Sequence, residues 1–116
     1  MTAKIIYKIL TVQQWRQAGA EGVFRGAPID LADGYIHFST AEQVQETADQ
    51  HFAGMHDLVL AAIDAERLGE RLVYEISRGG ARFPHLYDVL SLAFVKWAKP
   101  MPLGRNGRHD LPDMGA

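Results

Sequence analysis

Cysteine is absent from this chain, which removes disulfides, thiolate metal ligands and thiol nucleophiles from consideration. Long apolar runs are missing too. A spanning helix needs roughly 20 consecutive apolar residues, and a signal peptide needs an apolar stretch behind a basic start. Neither pattern occurs, so the expectation is a cytoplasmic protein with no membrane partner. Nor is there an excess of charge of one sign: 12 Lys and Arg stand against 14 Asp and Glu, for a formal net charge of −2. Nucleic-acid affinity rests heavily on phosphate neutralisation. Without a basic run, general nucleic-acid binding is not expected, whereas a pocket for one small anionic ligand is compatible with this balance.

What the chain does contain is enough apolar material for a single core: 47% of its 116 residues are hydrophobic. Ile5 to Leu10 suits a strand, and Thr11 with Gln14 forms a capping box that opens a helix with Gly19 as its stop. Residues 20–33 are turn-rich and read as an ordered loop with a short strand at most. A strand over Tyr35–Ser39 feeds a second helix, opened by Thr40 with Gln43 and ended by Gly54. Leu58 to Ile63 reads as a central strand buried on both faces. Leu72–Ile76 and Leu92–Trp97 are further strands, and Arg105-Asn106-Gly107 is a hairpin turn. The pattern predicts one α+β domain over residues 1–109, with two short helices on a mixed or mainly antiparallel sheet. Residues 110–116 read as a loose tail, and nothing in the sequence indicates an oligomeric state.

Two short motifs stand out. In Asp33-Gly34-Tyr35-Ile36-His37-Phe38-Ser39, an extended backbone puts Tyr35, His37 and Ser39 on one face and Ile36 and Phe38 on the other. Phe83-Pro84-His85-Leu86-Tyr87 repeats the arrangement with His85 and Tyr87, and Pro84 restricts the backbone that presents His85. A histidine in such a place often does no more than hydrogen-bond a nearby backbone group. Two of them with hydroxyl companions point instead to a site, since pockets are marked by converging polar groups.

Between Arg78 and Arg82, Gly79 and Gly80 free the backbone, and their N–H groups beside two guanidiniums suit a phosphate or carboxylate. An ordinary glycine turn with solvated arginines is the plainer reading. Glu75 stands inside a strand. It is either a salt-bridge partner of Arg78 or Arg82, or a general base or acceptor for a ligand hydroxyl. A zinc site is not favoured: His51 and His56 have the wrong spacing for one helix face, and His37 with His85 falls short of three ligands. A serine triad is not favoured either, because Ser39 lies outside a Gly-x-Ser-x-Gly elbow.

The run Ile6-Tyr7-Lys8-Ile9, Trp15, the stretch Asp33 to Gln43 and Phe83 to Tyr87 resemble the bacterial family called domain of unknown function 952. That family is distantly similar to the ADP-ribosyltransferase superfamily, which includes RNA 2′-phosphotransferases. The echo is Tyr7-Lys8, then His37-Phe38-Ser39 before a helix, then Leu58 to Asp64. The resemblance implies an ADP-ribosyltransferase-like cleft with NAD or ADP-ribose as its ligand. It gives Lys8 a ligand-holding place where the superfamily has histidine or arginine, and it makes Glu75 the candidate for the catalytic glutamate.

The resulting expectation is a cleft for an anionic, nucleotide-derived ligand. His37, His85 and Glu75 are its catalytic candidates. Lys8, Tyr35, Ser39, Arg78, Gly79, Gly80, Arg82 and Tyr87 are its binding candidates. The reaction is transfer at a ribose or phosphate, with a histidine handling the proton. The rival is a non-catalytic ligand-binding or interaction module that uses the same cleft.

Overall fold

Thr11 ends the first strand and starts the first helix, and its local chemistry explains both. The computed structural model describes residues 4–114, without the Arg78 side chain. In it β1 (Ile5–Thr11) runs directly into α1 (Val12–Glu21). The Thr11 hydroxyl accepts the Gln14 N–H at 3.0 Å, and the Gln14 side chain accepts the Thr11 N–H at 2.9 Å. The capping box is therefore formed as read. The helix passes through Gly19 and stops at Gly22, whose φ of +80° admits the left-handed cap that glycine tolerates best.

Next come β2 (Val23–Phe24), α2 (Pro28–Asp33) and β3 (Ile36–His37). Then follow α3 (Val44–His51), β4 (Leu58–Asp64), β5 (Leu72–Ile76) and β6 (Arg82–Leu86). β7 (Leu90–Ser91) and β8 (Val95–Pro100) complete the order, and 3-10 turns occupy Ala65–Arg71, Arg78–Gly80 and Leu92–Phe94. Helix α2 replaces part of the expected loop: Pro28 sits in its first turn, where a missing N–H costs nothing. Helix α3 starts later than expected because only half of its box forms. Gln43 Oε1 accepts the Thr40 N–H at 3.0 Å, while residues 41–43 remain a turn. It also ends at His51 rather than at Gly54. The Leu92–Trp97 strand is divided, its first three residues forming a 3-10 turn before β8.

All the named strand pairs are antiparallel. β4 lies in the centre of the sheet β1-β4-β8, β6 in the centre of β3-β6-β5, and β2 pairs with β7. Every residue of β4 except Asp64 is buried, and alternation divides them between two cores. Ala61 and Ile63 join Ile6, Leu10 and Ala18 of α1. Leu58, Leu60 and Ala62 join Tyr7, Ile9 and, from α3, Val44 and Ala48. A bridge between Tyr7 and Ser39 ties the first sheet to the segment after β3. The end of the chain is docked rather than loose up to Met114. Leu111 and Met114 pack on the second core, and Lys99 Nζ donates to the Asp113 carbonyl at 2.9 Å. Among the described residues, no helix is long and apolar enough to cross a membrane.

Leu60 is wholly buried in the central strand. Leu60→Ala should lower unfolding free energy by about 2–5 kcal/mol, against about 1 kcal/mol for loss of the helix cap in Thr11→Ala. Urea unfolding monitored by circular dichroism measures both.

Candidate functional site: two carboxylate-held histidines

Strand register assembles the site. In the β3–β6 pair His37 lies directly opposite His85, and in the β5–β6 pair His85 lies opposite Val73. Glu75 and Tyr87 are each two residues from that row, so alternation puts them on the same face. Ile36, Leu72 and Leu86 take the other face and pack into the first core. The backbone is fixed at this point by the Phe38 N–H, which donates to the Pro84 carbonyl at 3.0 Å.

The rings are in contact. Tyr35 stacks on His85 at 4.1 Å between centroids, and the His37 and His85 rings meet edge to face at 5.5 Å. Tyr35 also lies 5.2 Å from the Tyr87 ring. His85 Nδ1 is 2.8 Å from Glu75 Oε1, which accepts the Tyr87 hydroxyl at 2.7 Å. Hydrogen bonds from Tyr87 and His85 hold the Glu75 carboxyl below its ordinary range, and the same carboxylate pushes the Tyr87 phenol up to about 12. Partial burial raises the Tyr35 phenol, with Asp33 and Glu75 adding to it.

His37 is held from beneath by Asp30. Its Nδ1 lies 2.6 Å from Asp30 Oδ1, and its backbone N–H donates to the same oxygen at 3.1 Å. Oδ2 of Asp30 accepts the Ala27 N–H at 2.7 Å and faces Lys8 Nζ at 3.0 Å. On the solvent side, His37 Nε2 lies 2.9 Å from Asp33 Oδ2. Asp30 is only 2% exposed. Burial alone would raise its carboxyl, but His37, Lys8 and the two backbone N–H groups outweigh that and hold it at about 2. Burial pushes the Lys8 ammonium down, against the pull of Asp30.

Several expected roles are corrected by these positions. Ser39 does not share the His37 face: β3 ends at His37, and the Ser39 hydroxyl turns to Thr47 of α3 at 2.9 Å. Lys8 lies on the core face of β1 with Ile6 and Leu10, and its ammonium is committed to the buried carboxylate of Asp30. Among the described residues Glu75 pairs with His85 and Tyr87, not with Arg82. Gly79 and Gly80 form the tight turn between β5 and β6, with φ of +65° and +79°, and the Gly80 N–H is taken by the Ser77 carbonyl. Arg82 lies opposite Ile76, on the face away from His85, and its guanidinium reaches the Tyr74 carbonyl at 3.5 Å. The Arg78 side chain lies outside the described residues.

Three contributors were missed in the sequence: Asp30, Asp33 and Arg25. The signal for Asp30 was present, because Pro28 at a helix start followed by an acid two residues later fits a carboxylate that caps its own helix. Arg25 borders a hollow of about 350 Å³ that adjoins the cluster, with Leu31, Tyr35, Tyr87, Asp88 and Val89 also on its wall.

The family model described as "Protein of unknown function (DUF952)" matches residues 9–98. The chain belongs to this family. Its fold is similar to the crystal structure of CC0527 from Caulobacter crescentus, at 50% identity and a TM-score of 0.89, covering 91% of this chain and 93% of that one. A crystal structure of a CC0527 double mutant matches at 49% identity and a TM-score of 0.88, over the same shares of the two chains. The solution structure of CC0527 matches at 50% identity and a TM-score of 0.83, covering 91% of each chain. No curated protein matches the sequence. The relatives establish the fold and the family and name no activity.

The folded carboxyl of Asp30, at about 2 against an ordinary 3.8, gives a pH signature. A depressed carboxyl stabilises the fold above its unfolded value, and that stability is lost as pH falls through the window from about 4 to about 2. The amount is of order 2 kcal/mol. Asp30→Asn should flatten this acid limb of stability, and Asp30→Ala, which strands Lys8, should cost about 3–5 kcal/mol at neutral pH. Urea melts across pH 2–7 check both.

Proposed function

We propose that Tyr35, His37, Glu75, His85 and Tyr87 form the catalytic site of a small transferase acting on a nucleotide-derived ligand, NAD or ADP-ribose. This is the reading that the distant resemblance to ADP-ribosyltransferases suggests. The observation that carries it is the pair of imidazoles, each with Nδ1 on a carboxylate and with centroids 5.5 Å apart. A carboxylate on Nδ1 orients each ring, the arrangement used in general acid–base catalysis. Nε2 of His85 is then left for the reacting group, while Nε2 of His37 lies beside Asp33 and must part from it to act.

The adjoining hollow supplies the binding half. Tyr35 and Tyr87 offer ring faces to a base or nicotinamide, and Arg25 offers a guanidinium to phosphate. Arg25 thus takes the part first given to Arg78 and Arg82. The ribose, neutral and rich in hydroxyls, suits the acidic mouth where Asp33 and Glu75 are about two-fifths exposed. In the transfer step one histidine takes the proton of the attacking hydroxyl as its oxygen bonds to the ribose carbon or phosphorus. With NAD as donor the bond to nicotinamide breaks with its electron pair passing to the ring nitrogen. That group therefore leaves neutral and needs no proton, whereas a leaving phosphate or ribose oxygen takes its proton from the other histidine. A second reading, a binding module without turnover, is supported by the burial of His85, which is only 3% exposed.

Calorimetric titration with ADP-ribose and NAD should give salt-sensitive binding. Arg25→Ala should weaken it about tenfold or more, the worth of one charge-assisted contact. His85→Gln should retain binding and abolish release of nicotinamide from NAD. Binding without release by the wild type would select the module, and no heat with either ligand would refute both readings.

A further inference from the structure

We propose that the groove between α1 and α2 is a second ligand site, built for a guanidinium on an aliphatic stem. An anion bound in the hollow beside the histidines opens it, by drawing Arg25 away from Glu21. The proposal rests on the place given above to Arg25 as the phosphate-binding group. It adds a second ligand and a coupling between the two.

The groove has a volume of about 580 Å³. Ala18, Phe24 and Leu31 give it apolar surface, and Gln13 and Gln17 of α1 give it amides. Among the described residues of its wall, the charged ones are Glu21 and Arg25, and they are paired: Arg25 Nε donates to Glu21 Oε1 at 2.9 Å. Gln17 Nε2 donates to the other carboxylate oxygen at 2.8 Å. Hydrogen bonds from Gln17 and Arg25 hold the Glu21 carboxyl below its ordinary range, so it is ionised at neutral pH. A guanidinium is thus already seated on a carboxylate in this groove, supplied by the chain itself. A ligand with the same group can take that place when Arg25 leaves it, with its stem against Leu31, which is 66% exposed.

Arg25 and Leu31 are also the two residues that the walls of both hollows share. On the histidine side the charged residues of the wall are Arg25, Asp30 and Asp88, among those described, and Asp30 is already balanced by Lys8. A phosphate entering that hollow therefore has Arg25 as its counter-charge. One guanidinium cannot neutralise both a phosphate and the Glu21 carboxylate, whether it moves fully or bridges them. Glu21 is then the uncompensated charge of the groove, and only 34% of its side chain is open to solvent. A positive ligand restores the balance. The internal pair is easily parted, because the Arg25 side chain is 64% exposed and exposed ion pairs are held weakly. A guanidinium is preferred to an ammonium, since it is less strongly hydrated and bonds a carboxylate through two N–H groups.

Linkage makes the effect reciprocal: each ligand raises the affinity of the other by the same factor. An exposed pair sets that factor at about fivefold.

The test is an amide NMR titration of the whole protein with N-acetyl-arginine amide, which carries one guanidinium and no other charge. The wild type should bind it weakly, with shifts at Gln17, Glu21 and Leu31. Arg25→Ala should bind it about fivefold more tightly, because Glu21 is then free without any anion. Arg25→Ala combined with Glu21→Gln should lose that gain. In the wild type, saturating ADP-ribose or inorganic pyrophosphate should bring about the same fivefold tightening. The lysine analogue of the probe should bind less tightly in every case. Equal affinity of wild type and Arg25→Ala, or a gain that survives Glu21→Gln, overturns the site. An anion that binds without tightening the probe overturns the coupling. If neither anion binds, the transferase reading fails, while the comparison of the Arg25 and Glu21 variants still decides the guanidinium site.

Discussion

The buried carboxylate of Asp30 is the constraint on which the site depends. A charge taken out of water is tolerable only when its oxygens are satisfied. Here the donors come from four places: Lys8 on β1, the Ala27 N–H at the start of α2, and the His37 backbone and ring. Satisfying one aspartate therefore ties the central sheet, the short helix α2 and strand β3 to a common point. Helix α2 has only six residues, too few for helix propensity alone to sustain it. The buried network supplies what length does not. Because the same carboxylate fixes Nδ1 of His37, the stability of this corner and the orientation of the ring have one origin.

The sequence was most legible where local chemistry and periodicity agree. The Thr11–Gln14 box, the doubly buried Leu58–Ile63 strand and the Leu72–Ile76 strand are all visible in single windows of residues. Tyr35, His37, Glu75 and Tyr87 could be placed on strand faces by alternation alone. Their meeting depended on β3, β6 and β5 being neighbours, and pairing of that kind is set by contacts far apart in sequence. The misreadings have the same source. Ser39 obeys alternation only while the strand continues, and β3 is two residues long. Lys8 reads as a polar break in an apolar strand, and only Asp30, twenty-two residues away, reveals why it is buried. The glycine–arginine segment looks like a phosphate cradle in isolation, yet it is the turn that lets β5 fold back on β6.

The two halves of the proposed site differ in how tightly they are held. The catalytic half is built on strands and anchored through carboxylates, which suits groups that must stay in register with a reacting bond. The binding half is a hollow edged by α2 and by residues 87–89, where Leu31 and Val89 leave apolar surface exposed. Arg25 there is paired with Glu21 at 2.9 Å on an exposed surface. Such a pair contributes little stability, so its guanidinium can be diverted to a phosphate at small cost.

The most direct test of the account is a crystal structure of the protein with ADP-ribose at saturating concentration. The account predicts the pyrophosphate on Arg25, the base against Tyr35 or Tyr87, and the ribose facing His37 and His85. A ligand seated on the turn at Gly79 and Gly80, or density elsewhere on the protein with the histidine cluster unoccupied, would contradict it.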